Sequence, residues 1–237
     1  MNVAFRRRLA HKFAHVCVNK SFGKLVLDDV DLVYTKSLSL KKLILSGQEL
    51  KHLEVVPEFC SHDEEREIMV EVDRALRRKR YEYDHWDDAI HGFRETEKSQ
   101  TAWNDTNKNV ISRLSRQIFS SQADGNPLLN VHVLDLADNG YIKPHIDSHK
   151  FCGSTIAGLS LLSTRVMRLQ HEKDITQQIE LLLLPRSLYI IRNELRHNFT
   201  HEILLECNNS VFKITEPPSR RVSLIMRSQP DNIVKTT

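Results

Sequence analysis

The sequence predicts a mainly β chain with amino-terminal helices, an α+β architecture in which a jelly roll or barrel is buttressed by two helices. Two observations carry this. Helical hydrophobic stripes occur twice in the first half, and from Leu128 onward the pattern changes to short β-type runs separated by polar turns. A length of 237 residues suits one domain of about 150–200 residues and would cramp two. The charged fraction of 27% has balanced signs, which disfavours wholesale disorder, collagen-like repetition and a disulfide-dense scaffold. No apolar run approaches the roughly 20 residues a membrane-spanning helix needs.

Taken in chain order, residues 1–27 carry Arg6, Arg7, Arg8, Lys12, Lys20 and Lys24 and no acid. With Phe5, Leu9, Phe13 and Val16 at helical spacing, the segment reads as a mitochondrial transit peptide; the alternative is a basic tail for RNA or lipid. The formal net charge is +3; removing six bases leaves 28 Lys plus Arg against 31 acids, so the body of the protein is at −3. Residues 28–52 read as a variable lead-in, 53–229 as the working domain and 230–237 as a tail. Cys17, Cys60, Cys152 and Cys207 show neither zinc-type spacing nor a disulfide framework, which fits a reducing compartment.

Ser61 followed by Glu64 is a capping-box signature, and Ile68, Val72 and Leu76 recur at four-residue spacing, predicting a helix over 62–79. Arg77-Arg78-Lys79-Arg80 then supplies positive charge where the helix dipole favours it. Val110, Ile111, Leu114 and Ile118 predict a second helix over 107–121. Strands are predicted over 128–136, 141–146, 155–162, 165–170, 178–184, 187–192, 201–206 and 220–227.

The chemistry-bearing pattern lies among these strands. In an extended segment His145 and Asp147 share a face, and His201 begins another strand-like run 54 positions later. Two histidines and one carboxylate on one side of a metal form the facial triad of non-haem Fe(II) oxygenases, with positions left open for co-substrate and oxygen. About one chance His-x-Asp is expected in so histidine-rich a chain, and a second occurs at His85-Trp86-Asp87, in an acidic stretch without strand alternation. Arg221 and Arg227 separate the two. Six residues apart in a β-type run, they share one face, and paired guanidinium groups on a core strand are costly unless they hold an anion. The competing reading is a solvent-facing edge strand.

The strings Arg80–Asp87, Ala89–Ser99, Val131–Leu136, Gly140–His145, Lys150–Gly153 and Thr155–Leu162 resemble the AlkB-like Fe(II)/2-oxoglutarate dioxygenases, specifically their mitochondrial AlkB homologue 7 branch, and the likeness runs from about 53 to 229. The resemblance implies a double-stranded β-helix (a cupin-like jelly roll), a mitochondrial matrix location, and links to programmed necrosis and fatty-acid metabolism. Carried over by position, it implies iron ligation by His145, Asp147 and His201 and a 2-oxoglutarate site formed by Tyr189, Arg221, Ser223 and Arg227, with Val222 contributing through its backbone. Arg221 would pair with the distal carboxylate, Arg227 would support Asp147 and the iron-proximal end, and Tyr189 would donate from its phenol. Repair-type members place Asn and Tyr on the strand before the His-x-Asp; here that stretch is Leu134-Asp135-Leu136, so Tyr189 is the natural substitute.

The expected activity is oxidation of a protein or metabolite with Fe(II), 2-oxoglutarate and O2, yielding succinate and CO2. Two alternatives stand beside it: N-demethylation of mitochondrial tRNA, and a non-catalytic metal-binding jelly-roll scaffold. Repair-type members grip nucleic acid with a basic, aromatic lid, whereas Tyr81–Lys98 holds six acids against Arg94 and Lys98, a net charge of −4 that repels phosphate. That segment reads either as a core-covering piece with Trp86 and Phe93 packed inward, the favoured reading, or as a substrate lid.

Overall fold

The computed structural model describes residues 16–18, 32–35, 52–83 and 89–230. Its centre is two facing antiparallel sheets. After β1 (Val16–Val18), β2 (Val33–Thr35) and β3 (Leu53–Val56) come helix α1 (His62–Leu76), β4 (Ile90–Ser99) and helix α2 (Asp105–Ile118). The second half runs β5 (Asn130–His145), β6 (Thr155–Leu161), β7 (Arg165–His171), β8 (Gln178–Leu183), β9 (Ser187–Arg192), the short helix α3 (Asn193–Asn198), β10 (Phe199–Ile203), β11 (Phe212–Ile214) and β12 (Arg221–Arg227). Hydrogen-bonded neighbours follow the order β2-β8-β7-β10-β5-β12-β6-β9-β3, with β4 on the free side of β5. This is the jelly-roll arrangement that the two-helices-then-strands pattern predicts.

The long β5 joins the two sheets. Its first half pairs with β12 through Leu136↔Arg221 to His132↔Ile225, and its end pairs with β10 through Ile142↔Ile203 and His145↔His201. The sequence predicts two strands broken by Asp138-Asn139-Gly140, but the chain bends there and stays extended. Glycine permits the bend: a Cβ on Gly140 would meet the carbonyl oxygen of Gly92 at 2.5 Å, so β4 can cross close at its own irregularity between His91 and Phe93.

Alternation along the strands sorts side chains into two layers. Leu134, Leu136, Ile156, Tyr189, Ile191 and Ile225 face inward between the sheets, against Met167, Leu169, Ile179, Leu181, Phe199 and Ile203. Val131, Val133, Ala157, Leu159, Val222, Leu224 and Met226 face outward, where α1 and α2 cover them with Ile68, Val72, Leu76, Val110, Ile111 and Leu114. Helix α1 starts as its sequence dictates. Ser61 accepts from the Glu64 amide at 3.1 Å and Glu64 accepts from the Ser61 amide at 2.8 Å. The helix ends at Leu76, three residues short of the prediction, because the Arg77–Arg80 run is exposed and has no apolar stripe to bury.

Other differences follow from short or charged strands. The stretch 28–52, read as lead-in, contributes β2, which pairs with β8 through Tyr34↔Glu180; three residues are too few to show alternation. Val16, placed at helical spacing with Phe13, opens β1, which pairs with β11. The rest of the predicted transit segment, the 230–237 tail beyond Pro230, and the His85-Trp86-Asp87 motif lie outside the described residues. In the acidic segment, Ile90–Ser99 is a strand with Phe93 buried, its charges matched across the ladder by β5 instead of by alternating with apolar residues. Cys60, Cys152 and Cys207 are free thiols. Among the described residues no helix is long and apolar enough to cross a membrane.

Candidate metal centre

His145 closes β5, Asp147 follows it in irregular chain, and His201 stands opposite His145 in β10. The β5–β10 register therefore brings together residues that the chain separates by more than fifty positions. One ligand-type atom from each of the three lies within 4.8 Å of the others. His145 Nε2 is 3.3 Å and His201 Nε2 3.6 Å from the same oxygen, Asp147 Oδ1.

Hydrogen bonding prepares these atoms. His145 Nδ1 lies 2.9 Å from the Lys143 carbonyl oxygen, which can only accept, so Nδ1 carries the proton and Nε2 presents its lone pair to the centre. Burial pushes the His201 imidazole down to about 3, keeping it neutral and able to ligate. Burial would raise the Asp147 carboxyl, but the Arg227 guanidinium beside it holds it well below its ordinary value. Arg227 Nε donates to Asp147 Oδ2 at 2.6 Å, which leaves Oδ1 turned toward the imidazoles.

Strand β12 supplies the basic face of the cavity. Arg221, Ser223, Ile225 and Arg227 all line the same cavity as the three candidate ligands, together with Tyr189, Leu134, Ile156, Met167 and Ile203. Far from an edge, β12 is central between β5 and β6. Arg221 is 1% exposed; its Nε donates to Ser160 Oγ at 3.0 Å, while its Nη2 and the Ser223 hydroxyl are buried with no partner. Burial lowers the Arg221 guanidinium and raises the Tyr189 phenol. Tyr189 lies across β6 only because residue 158 is glycine: a Cβ there would sit 2.5 Å from Tyr189 Oη. Unpartnered buried donors beside a neutral-His, carboxylate donor set are what a metal-chelated dicarboxylate would satisfy. The residues present fit Fe(II) and 2-oxoglutarate.

Val222 does not join this cavity. One step along a strand reverses the face, so its side chain packs in the layer beneath the helices, and its backbone lies in the ladder between Asp135 and Leu161. Three polar residues at the site went unread in the sequence. His132 and Ser160 carried a usable signal, the period-two alternation that sets them on the inner face with Leu134 and Ile156. Arg196 carried none. It comes from α3, which has no predictive pattern, and its Nη2 donates to the carbonyls of Asp147 at 2.9 Å and Cys152 at 3.2 Å, fixing the loop that bears the carboxylate.

Residues 133–227 match the model of the 2OG-Fe(II) oxygenase superfamily. The chain is 51% identical over 179 residues to the Mus musculus alpha-ketoglutarate-dependent dioxygenase alkB homolog 7, mitochondrial, covering 76% of this chain and 79% of the relative. The Bos taurus protein of the same name is 51% identical over 180 residues, with the same coverage. Among solved structures, a prolyl hydroxylase from Trichoplax adhaerens in complex with a hypoxia inducible factor peptide fragment superposes with a TM-score of 0.53 at 10% identity, covering 81% of this chain and 90% of that one. A Pseudomonas putida prolyl-4-hydroxylase superposes with a TM-score of 0.50 at 9% identity, covering 75% and 92%. At such identities these two likenesses concern the fold alone.

Proposed function

The chain belongs to the AlkB-like Fe(II)/2-oxoglutarate dioxygenases, in their mitochondrial AlkB homologue 7 branch, and we propose that it works in the mitochondrial matrix as an oxygenase of a protein side chain or a small metabolite. The observation that supports this best is the convergence of His145, Asp147 and His201 on one point beside the unpartnered donors of Arg221 and Ser223. Residues 1–27 serve as the import segment in this reading. The branch's links to programmed necrosis and fatty-acid metabolism are proposed to extend to this chain.

When bound, iron with 2-oxoglutarate and O2 supplies the oxidising power, converting 2-oxoglutarate to succinate and CO2. The protein's part is to bind and orient. His145 and His201 each offer a neutral Nε2 and Asp147 offers Oδ1, and these three atoms would hold the metal. Arg221 is suited to pair with the distal carboxylate through its free Nη2, and the Ser223 hydroxyl and Tyr189 phenol are placed to donate beside it. Arg227 keeps Asp147 ionised and aimed. Ile90, Leu134, Ile142, Ile156, Met167, Ile203 and Ile225 give the cavity its apolar walls.

Succinate release from 2-oxoglutarate with Fe(II) and O2 tests the activity; its absence in the wild-type protein favours the scaffold reading. For the substrate, a His145→Ala trap is exposed to mitochondrial extract and both protein and RNA are recovered. Enrichment of a protein or metabolite is expected. Selective, salt-sensitive recovery of structured RNA would replace that assignment with tRNA demethylation.

A further inference from the structure

We propose that Glu95 and His132 are a positioning pair that fixes the Arg227 guanidinium and, through it, which oxygen of Asp147 faces the metal. The inference rests on the reading of this site as a metal centre. Arg227 Nη1 lies 3.1 Å from His132 Nδ1. A guanidinium can only donate, so His132 Nδ1 must accept, and the imidazole proton sits on Nε2. That atom is 2.7 Å from Glu95 Oε2, which accepts it. The tautomer of His132 is thereby set from both sides.

A continuous chain results, Glu95–His132–Arg227–Asp147, whose last link is the 2.6 Å bond from Arg227 Nε to Asp147 Oδ2. The strands dictate each contact. Glu95 stands opposite Leu134 and Glu97 opposite His132 on the β4–β5 ladder, so Glu95 reaches His132 diagonally. His132 stands opposite Ile225 on the β5–β12 ladder, two residues before Arg227. Arg227 is a long side chain with many rotamers open to it. Asp147 anchors it at one nitrogen and His132 at a second, so the fork cannot swing and take Asp147 Oδ2 with it. Asp147 is 12% exposed and Glu95 38%, so the chain runs from the cavity to the surface, and β4 reaches Asp147 through three hydrogen bonds. In metal sites, outer groups that orient a ligand are typically worth about 10- to 100-fold in metal affinity.

The test uses full-length protein, Mn(II) as a redox-silent probe, and two readouts. In the metal-free protein, long-range proton–nitrogen NMR of the imidazoles is expected to show His132 protonated on Nε2. In Mn(II) titrations, His132→Phe is expected to bind about tenfold more weakly than wild type with an unchanged melting temperature, and His132→Gln, which keeps an acceptor for Arg227 and a donor for Glu95, within about threefold of wild type. A proton on His132 Nδ1 overturns the proposal, as does Mn(II) affinity in His132→Phe equal to wild type. Wild-type protein that binds no Mn(II) sinks the metal reading and this inference together; normal wild-type binding with an unaffected His132→Phe variant sinks the inference alone.

Discussion

Replacing Arg221 with Met should move ligand affinity and stability in opposite directions. Arg221 is wholly buried, its Nε is held by Ser160, and its Nη2 has no partner. Among the described residues no carboxylate lies within ion-pair distance of it, so the ligand-free protein carries a buried charge without a counterion. Removing one partner of a buried, hydrogen-bonded charge pair costs about 2–5 kcal/mol, which at 1.4 kcal/mol per decade corresponds to roughly a 30- to 4000-fold weaker hold on 2-oxoglutarate. Met fills a similar volume without the desolvated charge, so the ligand-free variant should melt at or above the wild-type temperature. Calorimetric titration of 2-oxoglutarate into Mn(II)-loaded protein gives the first number. Thermal melts with and without 2-oxoglutarate give the second, and the ligand-induced rise of the wild type should vanish in the variant. Unchanged 2-oxoglutarate affinity would refute the assignment of Arg221, and a large fall in the ligand-free melting temperature would show that its hydrogen bonds to Ser160 and Tyr189 outweigh the cost of burying the charge.

Gly158→Ala should force Tyr189 off its position, since the new Cβ would lie 2.5 Å from the phenol oxygen; about 1–3 kcal/mol of overpacking cost and weaker 2-oxoglutarate binding are expected in denaturant melts and titration, and a variant with wild-type values in both would contradict it. Asp135→Asn should cost about 3–5 kcal/mol, because a fully buried carboxylate accepts from Arg94 at 2.7 Å and from Arg220 at 2.8 and 2.9 Å; chemical denaturation reads this, and a loss under 1 kcal/mol would show that the two arginines find water. The hydrogen bond from Arg113 holds the Glu64 carboxyl below its ordinary value of 4.5. A depressed folded-state value means that its contribution is complete above pH 4.5 and disappears as pH falls through the folded value. Glu64→Gln should therefore lower stability at neutral pH by about 1 kcal/mol or less, the pair being partly exposed, and the gap to wild type should close as pH falls from 4.5 through the folded value; a constant gap across that range would sink the linkage.

Much of the site was legible because its residues announce themselves by local spacing. Arg221, Ser223 and Arg227 stand at even intervals in one strand, and that parity alone puts them on a common face, just as it turns Val222 away. His145 and Asp147 are adjacent enough for their shared direction to follow from the chain. The capping of α1 by Ser61 and Glu64 is likewise a contact three residues long. His132 has the same period-two signal as Leu134, yet a histidine on an inner face is as often a core residue as a functional one, and only its distance to Arg227 separates the two. Strand β4 was hidden because Arg94, Glu95 and Glu97 find their partners on β5, at Asp135, His132 and Asn130, so its charges are neutralised sideways instead of being segregated to one face.

The sequence by itself picked out the candidate donor set and the two arginines beside it, and determined the order of helices before strands and the family. The tertiary structure decided which of those pieces meet. Periodicity tells a residue which way it faces relative to its neighbours in the chain, but not what lies opposite, since that depends on strand register. The β5–β10 register sets His201 against His145, the glycines at 92 and 140 let β4 reach β5 at its bend, and α3 brings Arg196 onto the Asp147 loop. These contacts join residues far apart in the chain, and burial of the inner face, shared among many residues, selects them where no local motif can.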